Sequence, residues 1–379
     1  MSLALNEEQL LLKDSAEGFF RKKAPVGALR QLRDERDPDG FSRALWREMV
    51  DMGWAGTFLP EEYGGLDCGF VELGVVLEAA GRTLAANPLL ATVALCGSGI
   101  VLGGSAAQKS DLLPRIAAGE LLLALALEEG THHRPAHIVA SGAPADNGYV
   151  IDGRKLHVVD GHVADKFIVA VRTAGEEGDT EGISLFVVDR QARGVTVERR
   201  TMVDSRNMAE VRFEGVQVAG TDLLGGLHEG YALLQQIIDR GNIALCAEML
   251  GSMQEAFERT VAYLKQREQF DVPIGSFQAL QHRAAQMFCE IELSRSVVMK
   301  ALRSIDEDAA SVPLMASMAK VQVCDTFRLV SDEGIQMHGG IGMTDEEEIG
   351  FFLKRARVAQ QMLGDEHYHL QRYARLRGY

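Results

Sequence analysis

Tyr263-Leu264-Lys265-Gln266-Arg267-Glu268-Gln269-Phe270-Asp271-Val272-Pro273-Ile274-Gly275-Ser276-Phe277-Gln278-Ala279-Leu280-Gln281 is the stretch on which the fold turns. Before it, Leu250, Met253, Phe257, Val261 and Leu264 recur on one stripe, which predicts a long helix from about Tyr231 to Gln266. After it, a second helix is expected from Phe277 past Phe288, Ile291, Arg295, Val298 and Leu302. A third includes Met315, Met318, Val321 and Leu329, and a fourth leads from Glu346 to the C-terminus. Four long amphipathic helices joined by short loops make a bundle.

Working outward toward the N-terminus, the period changes. From about Leu123 to Gly220 it is two, and β-branched or aromatic runs at Phe167–Val171, Ile183–Val188, Val195–Glu198 and Ala209–Phe213 read as strands. Tyr149-Val150-Ile151-Asp152-Gly153 reads as a strand ending in a turn. Short strands at this density suggest a small antiparallel barrel or sandwich. From Asn6 to about Leu122 the spacing is helical again, broken by the loop Leu59-Pro60-Glu61-Glu62-Tyr63-Gly64-Gly65. The expected fold is therefore mainly α with a central β domain. Residues 1–122 form an N-terminal helical domain, 123–224 the small β-barrel or sandwich, and 225–379 the C-terminal four-helix bundle.

Composition narrows the function. A formal charge of −15 argues against a general nucleic-acid binder or an anionic membrane surface, both of which need a basic face. Five cysteines, Cys68, Cys96, Cys246, Cys289 and Cys324, are odd in number and far apart, which suggests neither zinc nor a disulfide framework and fits a cytoplasmic setting. Asn6-Glu7-Glu8-Gln9 follows the start at once, without the basic and apolar stretches of a signal peptide. Residues 89–107 carry no charge, but four glycines and two serines dilute them, so a buried, tightly packed helix is expected there rather than a membrane span.

The opening stretch resembles the Y-x-x-x-R-x-Q-F-x-x-P-I-x-x-F-Q-x-x-Q motif of the FAD-dependent acyl-CoA dehydrogenase family. Gln336-Met337-His338-Gly339-Gly340-Ile341-Gly342 resembles its Q-x-x-G-G-x-G, and the loop around Pro60 its P-E-x-Y-G-G. The likeness covers essentially the whole chain. It implies oxidation of an acyl-CoA thioester to the 2,3-enoyl-CoA, in which a carboxylate removes the α-proton while the β-hydrogen leaves as hydride to the flavin. It also implies a tetramer of identical or similar subunits, an electron-transfer flavoprotein as acceptor, and a place in fatty acid or steroid side-chain degradation. Each family FAD lies across a subunit interface. By resemblance, Arg267 pairs with the pyrophosphate of a neighbour's FAD, Phe270 packs beside it, and Gln269, Phe277 and Gln278 line the same groove. Gln336, Gly339 and Gly340 meet the adenosine end.

Elsewhere the chain departs from the family. Where the family writes T-E-P, with the Thr on the flavin, this chain has Glu128-Glu129-Gly130; W-I-T aligns with His157-Val158-Val159. The family base lies in Y-E-G-T, and here Met362-Leu363-Gly364-Asp365 puts leucine in its place. The other position used by relatives, on the first bundle helix, is Gly241, followed by Asn242 where they carry arginine; Asp239 keeps that motif's acidic residue. Glu248, about 10 Å further along the same helix face, is a candidate substitute, as are Asp365 and Glu366, and the catalytic base stays unassigned. Three readings remain open: a subunit that completes a partner's FAD site in a hetero-oligomer, a homotetrameric dehydrogenase with a relocated base, and a non-catalytic scaffold of the same fold. A different flavin reaction on the fold is a weaker fourth.

Overall fold

The computed structural model describes residues 3–379. The chain divides into two compact units, one of Met1–Arg36, Phe70–Ala86 and Asn242–Tyr379, the other of Asp37–Gly69 and Asn87–Gly241. The helices in chain order are α1 (Glu7–Lys23), α2 (Val26–Asp34), α3 (Arg43–Asp51), α4 (Phe70–Arg82), α5 (Ser98–Gly103), α6 (Ala106–Ala117), α7 (Gly230–Gln266), α8 (Gln278–Glu307), α9 (Val312–His338), α10 (Ile349–Gln361) and α11 (Glu366–Leu376).

The first unit is helical. Where α4 crosses α7, two glycines face each other's backbone: a Cβ on Gly81 would stand 2.0 Å from the Glu248 carbonyl oxygen, and one on Gly251 1.8 Å from that of Glu78. Ser252 Oγ donates to the Gly81 carbonyl at 2.9 Å and secures the crossing. The carboxylate of Asp306 on α8 accepts from the backbone N–H groups of Phe70 at 2.9 Å and Val71 at 3.3 Å, so it caps α4 from far along the chain. The expected fourth bundle helix is two helices. Leu363 (φ +55°) and Gly364 (φ +101°) reverse the chain after α10, and Asp365 restarts it by accepting from Tyr368 N at 2.8 Å.

The second unit is built on eight strands: β1 (Leu123–Ala126), β2 (Ser141–Ala145), β3 (Gly148–Val159), β4 (Lys166–Arg172), β5 (Ile183–Asp189), β6 (Val195–Thr201), β7 (Asn207–Ala219) and β8 (Leu223–Leu224), seven of them in the order β6-β7-β3-β2-β4-β5-β8 and β1 paired to β4 off that path. Its core includes Ile151, Val158, Phe167, Phe186, Val211 and Phe213. The sheet is mixed rather than purely antiparallel, because β1 runs parallel to β4 and β2 touches β4 in the same sense. The long connection between β1 and β4 supplies the crossover that parallel pairing requires. Gly153 does not end its strand. It sits in a bulge of β3 at φ +151°, where a Cβ would come 2.4 Å from Ala140 Cβ. The uncharged stretch is a buried, widely wound helix over Leu89–Gly97 running into α5. Two of its glycines are close contacts, since a Cβ on Gly99 or Gly103 would meet Ile237 at 2.8 Å or Leu233 at 2.2 Å. Among the described residues no helix is long and apolar enough to cross a membrane.

Candidate cofactor and active site

The motif after α7 folds as a hairpin. Gln269 pairs with Val272 and Glu268 with Pro273, so Phe270 (φ +59°) and Asp271 (φ +62°) form the two-residue turn. That turn favours Asn-Gly, and a phenylalanine in left-handed backbone is strained. Phe270 is 86 % exposed and meets Phe277 edge-on, with ring centroids 6.0 Å apart. Gln269, Phe277 and Gln278 are exposed with it. Arg267 is exposed too, and its guanidinium holds no ion pair among the described residues. The second motif lies at the same end of the bundle, because Tyr263 of α7 stacks on His338 of α9 at 4.4 Å. His338 Nδ1 donates to the Gly334 carbonyl at 2.7 Å.

Gly339 (φ +64°) caps α9, and nothing in the chain lies within 4 Å of a Cβ built on Gly339 or Gly340. The φ of Gly339 calls for glycine, whereas nothing inside the chain does so at Gly340. Gln336 is exposed beside them. An unpaired guanidinium suits a pyrophosphate. The C-terminal end of α9 has the negative pole of the helix dipole and suits the hydroxyl and amino donors of adenosine. This half fits the adenine dinucleotide part of FAD.

The ring-side half does not fit the contacts that the family makes. Glu128, in place of the hydroxyl, is bonded to Nδ1 of His133, and its backbone carbonyl accepts from Leu156 N at 2.6 Å. Glu129 is structural: it accepts from Val139 N at 2.7 Å, Ala140 N at 3.0 Å and the fully buried ammonium of Lys155 at 2.6 Å. Burial pushes that ammonium below its ordinary value, while the Glu129 carboxylate pulls it the other way. His157, at φ +52°, stands exposed in a second bulge of β3, and Val158 and Val159 are buried. Both hydroxyls are gone, and one is replaced by a carboxylate.

The turn that carries the base in the family is fully built around Leu363. Lys320 Nζ, completely buried, donates to the carbonyls of Ala359 at 3.0 Å and Met362 at 2.5 Å. The Leu363 carbonyl accepts from Asn242 Nδ2 at 3.1 Å and from His369 Nε2 at 2.9 Å. A Cβ on Gly364 would come 2.6 Å from Tyr368 and 2.8 Å from His369 Nε2, so glycine is required there. Two of the three candidate carboxylates are engaged elsewhere. Glu248 forms a buried ion pair with Arg355 Nη1 at 3.0 Å, Asp365 caps α11, and Glu366 lies in the first turn of α11. Asp239 and Gly241 are buried in α7. Lys320, His369, Arg355 and His133 hold these candidate groups in place, and sequence reasoning missed them. Only Lys320 carried a signal, as a lysine at helical spacing from Ala316, Val323 and Phe327.

Comparison with known proteins agrees with this geometry. The acyl-CoA dehydrogenase N-terminal, middle and C-terminal domain profiles match residues 6–120, 124–216 and 228–376. The cyclohex-1-ene-1-carbonyl-CoA dehydrogenase of Geobacter metallireducens is 30% identical over 368 residues, 95% of each chain. Among solved structures, the ChsE4-ChsE5 complex from Mycobacterium tuberculosis superposes with a TM-score of 0.88 at 25% identity, covering 100% of each chain. A variant of the Tcur3481-Tcur3483 steroid ACAD does so with a TM-score of 0.88 at 30% identity, covering 98% of this chain and 97% of that one. The chain belongs to the acyl-CoA dehydrogenase family of FAD-dependent oxidoreductases.

Proposed function

We propose that this chain is the subunit of a heteromeric acyl-CoA dehydrogenase that completes a partner's FAD site and lacks a base of its own. The carrying observation is the split between the two halves. The hairpin with Arg267, Gln269, Phe270, Phe277 and Gln278 and the turn with Gln336, Gly339 and Gly340 are exposed and open. In contrast, Leu363 occupies a turn otherwise complete. When bound, FAD accepts the hydride, and this chain's residues hold its phosphates and adenosine. The exposed apolar side chains of Phe270, Phe277, Phe288, Leu293, Ile341 and Met343 support assembly with another subunit of the same fold, as a tetramer. The two-component names of the ChsE4-ChsE5 complex and the Tcur3481-Tcur3483 steroid ACAD support a hetero-oligomer and a bulky CoA thioester, such as a steroid side chain. An electron-transfer flavoprotein as acceptor and a cytoplasmic setting complete the proposal.

The test is the visible spectrum of the full chain, purified alone and after co-expression with a similar-length homologue encoded beside it. The expected result is a colourless lone chain and a yellow complex that dehydrogenates the thioester. A yellow lone chain whose flavin is reduced by an acyl-CoA overturns the proposal in favour of a homotetramer with a relocated base. A chain that binds no flavin with any partner is a scaffold.

A further inference from the structure

The turn at Leu363 is held by more polar structure than a leucine needs. A lysine is among the side chains least often sealed from water, because its charge loses hydration that must be replaced. Lys320 is fully buried, and two of the groups that receive its ammonium are the carbonyls of Ala359 and Met362, at the C-terminal end of α10. Helix C-termini leave such carbonyls without intrahelical donors, and a cation there also meets the negative end of the dipole. The neighbouring thiols of Cys246 and Cys324 supply no counter-charge, since burial pushes them up to about 12 and about 11. One residue further on, the amide of Asn242 and the imidazole of His369, both fully buried, converge on the Leu363 carbonyl. Three helices therefore grip two consecutive carbonyls. Every one of these bonds is to backbone, so none depends on the side chain at position 363.

We infer that Lys320, with Asn242 and His369 beside it, is a positioning residue that fixes the Met362–Gly364 turn in the geometry from which a base is presented, so that the turn can still present a carboxylate although it carries leucine. This rests on the acyl-CoA dehydrogenase reading of the site. The left-handed conformation of Leu363 supports it, since strained backbone persists only where its surroundings over-determine it.

The test isolates proton transfer from redox chemistry. An arylacetyl-CoA has acidic α-hydrogens but no saturated carbon chain to dehydrogenate. A carboxylate that takes an α-proton leaves the thioester enolate, and return of a deuteron from D2O leaves a product one mass unit heavier. The full chain is compared with Leu363→Glu, and with that change combined with Lys320→Met or Lys320→Arg. Exchange is read by mass spectrometry and thioester binding by calorimetry. With Leu363 in place, exchange should equal that of thioester in buffer. Leu363→Glu should raise it about a hundredfold or more, the usual contribution of a placed general base. Adding Lys320→Met should lower saturated exchange about a hundredfold, as a misplacement near 1 Å does, with half-saturation changed less than about threefold. Lys320→Arg should restore most of it. A role in stability alone would not split rate from binding in this way.

Where the Lys320→Met chain does not fold, Asn242→Ala decides. It removes one donor from the Leu363 carbonyl and should lower exchange of the Leu363→Glu chain about tenfold, the order that one lost hydrogen bond is worth. Thioester binding without exchange in Leu363→Glu, or exchange indifferent to both Lys320→Met and Asn242→Ala, overturns the inference alone. A chain that binds no CoA thioester overturns the inference, while the functional reading is judged separately by the spectrum of the co-expressed complex.

Discussion

Glu248 is the residue whose replacement best separates structure from chemistry. Its side chain is 10% exposed and that of Arg355 4%, with 3.0 Å between charged atoms. At that distance two unit charges attract by about 5–6 kcal/mol with an effective dielectric near 20. Much of this is offset by the hydration that both groups gave up. Removing one partner forfeits the attraction and leaves the other charge buried, so Arg355→Ala should destabilise the protein by about 3–5 kcal/mol. Glu248→Gln keeps the shape and a carbonyl for the guanidinium, and should cost less, about 2–3 kcal/mol. Replacing both, as Glu248→Leu with Arg355→Met, should cost less than the two single changes summed, because neither charge of this pair is left buried without the other. Urea melts of the parent, Glu248→Leu, Arg355→Met and the double variant, followed by circular dichroism, complete the cycle, and a coupling energy of about 2 kcal/mol or more is expected. Flavin reduction by acyl-CoA, measured per folded complex, should survive in Glu248→Gln. Stability within about 0.5 kcal/mol of the parent, together with lost flavin reduction, would refute this reasoning and make Glu248 the base.

Three further outcomes are expected. Arg267→Ala should weaken FAD retention by the assembled complex about tenfold to a hundredfold, read as flavin lost on gel filtration, since a charge-assisted bond to phosphate disappears. Gly81→Ala should destabilise the protein by about 2–4 kcal/mol in urea melts, because a Cβ 2.0 Å from the Glu248 carbonyl oxygen forces α4 and α7 apart. His162 gives a pH signature. Its Nε2 donates to the Asp39 carbonyl at 2.8 Å, Nδ1 is buried without a partner, and burial pushes the imidazole down to about 4. Between about pH 6.5 and 4 the unfolded chain then binds the proton that the folded chain refuses, so stability falls as pH falls through that window, by at most about 3 kcal/mol. His162→Gln, which can keep the bond to Asp39, should flatten that part of the acid limb in urea melts at successive pH values.

The sequence was most legible where periodicity is long. The helix expected from about Tyr231 to Gln266 spans Gly230–Gln266, and the two that follow lie within a few residues of expectation. The fourth was misread at its middle because Leu363 gives no sign that it reverses the chain; only Gly364 and the capping Asp365 do so. Strand cores were legible in β4 and β5, where β-branched residues run together. The bulges of β3 were not, since their cause is tertiary: Ala140 lies against Gly153 where a Cβ would stand. At the candidate site the exposed half could be read from motif letters. The half that positions the base turn could not, because Lys320, Asn242 and His369 act on backbone carbonyls and belong to segments far apart in sequence.

The same physical distinction explains how a chain keeps this fold without a carboxylate in the Met362–Gly364 turn. A proton acceptor at position 363 contributes little to stability, because the turn is secured through carbonyls; leucine there leaves every one of those bonds in place. The Phe270–Asp271 turn poses the opposite problem. Two consecutive residues in left-handed backbone cost about 1–3 kcal/mol each, and a phenylalanine 86 % exposed regains little of this by burial. Within the chain the edge-on contact with Phe277 is worth about 1 kcal/mol, too small to offset that strain. On the proposed function, further compensation comes from what the hairpin touches in an assembled complex. In that proposal, a flat, anionic cofactor held by a second subunit would offer both an aromatic surface for Phe270 and phosphates for Arg267.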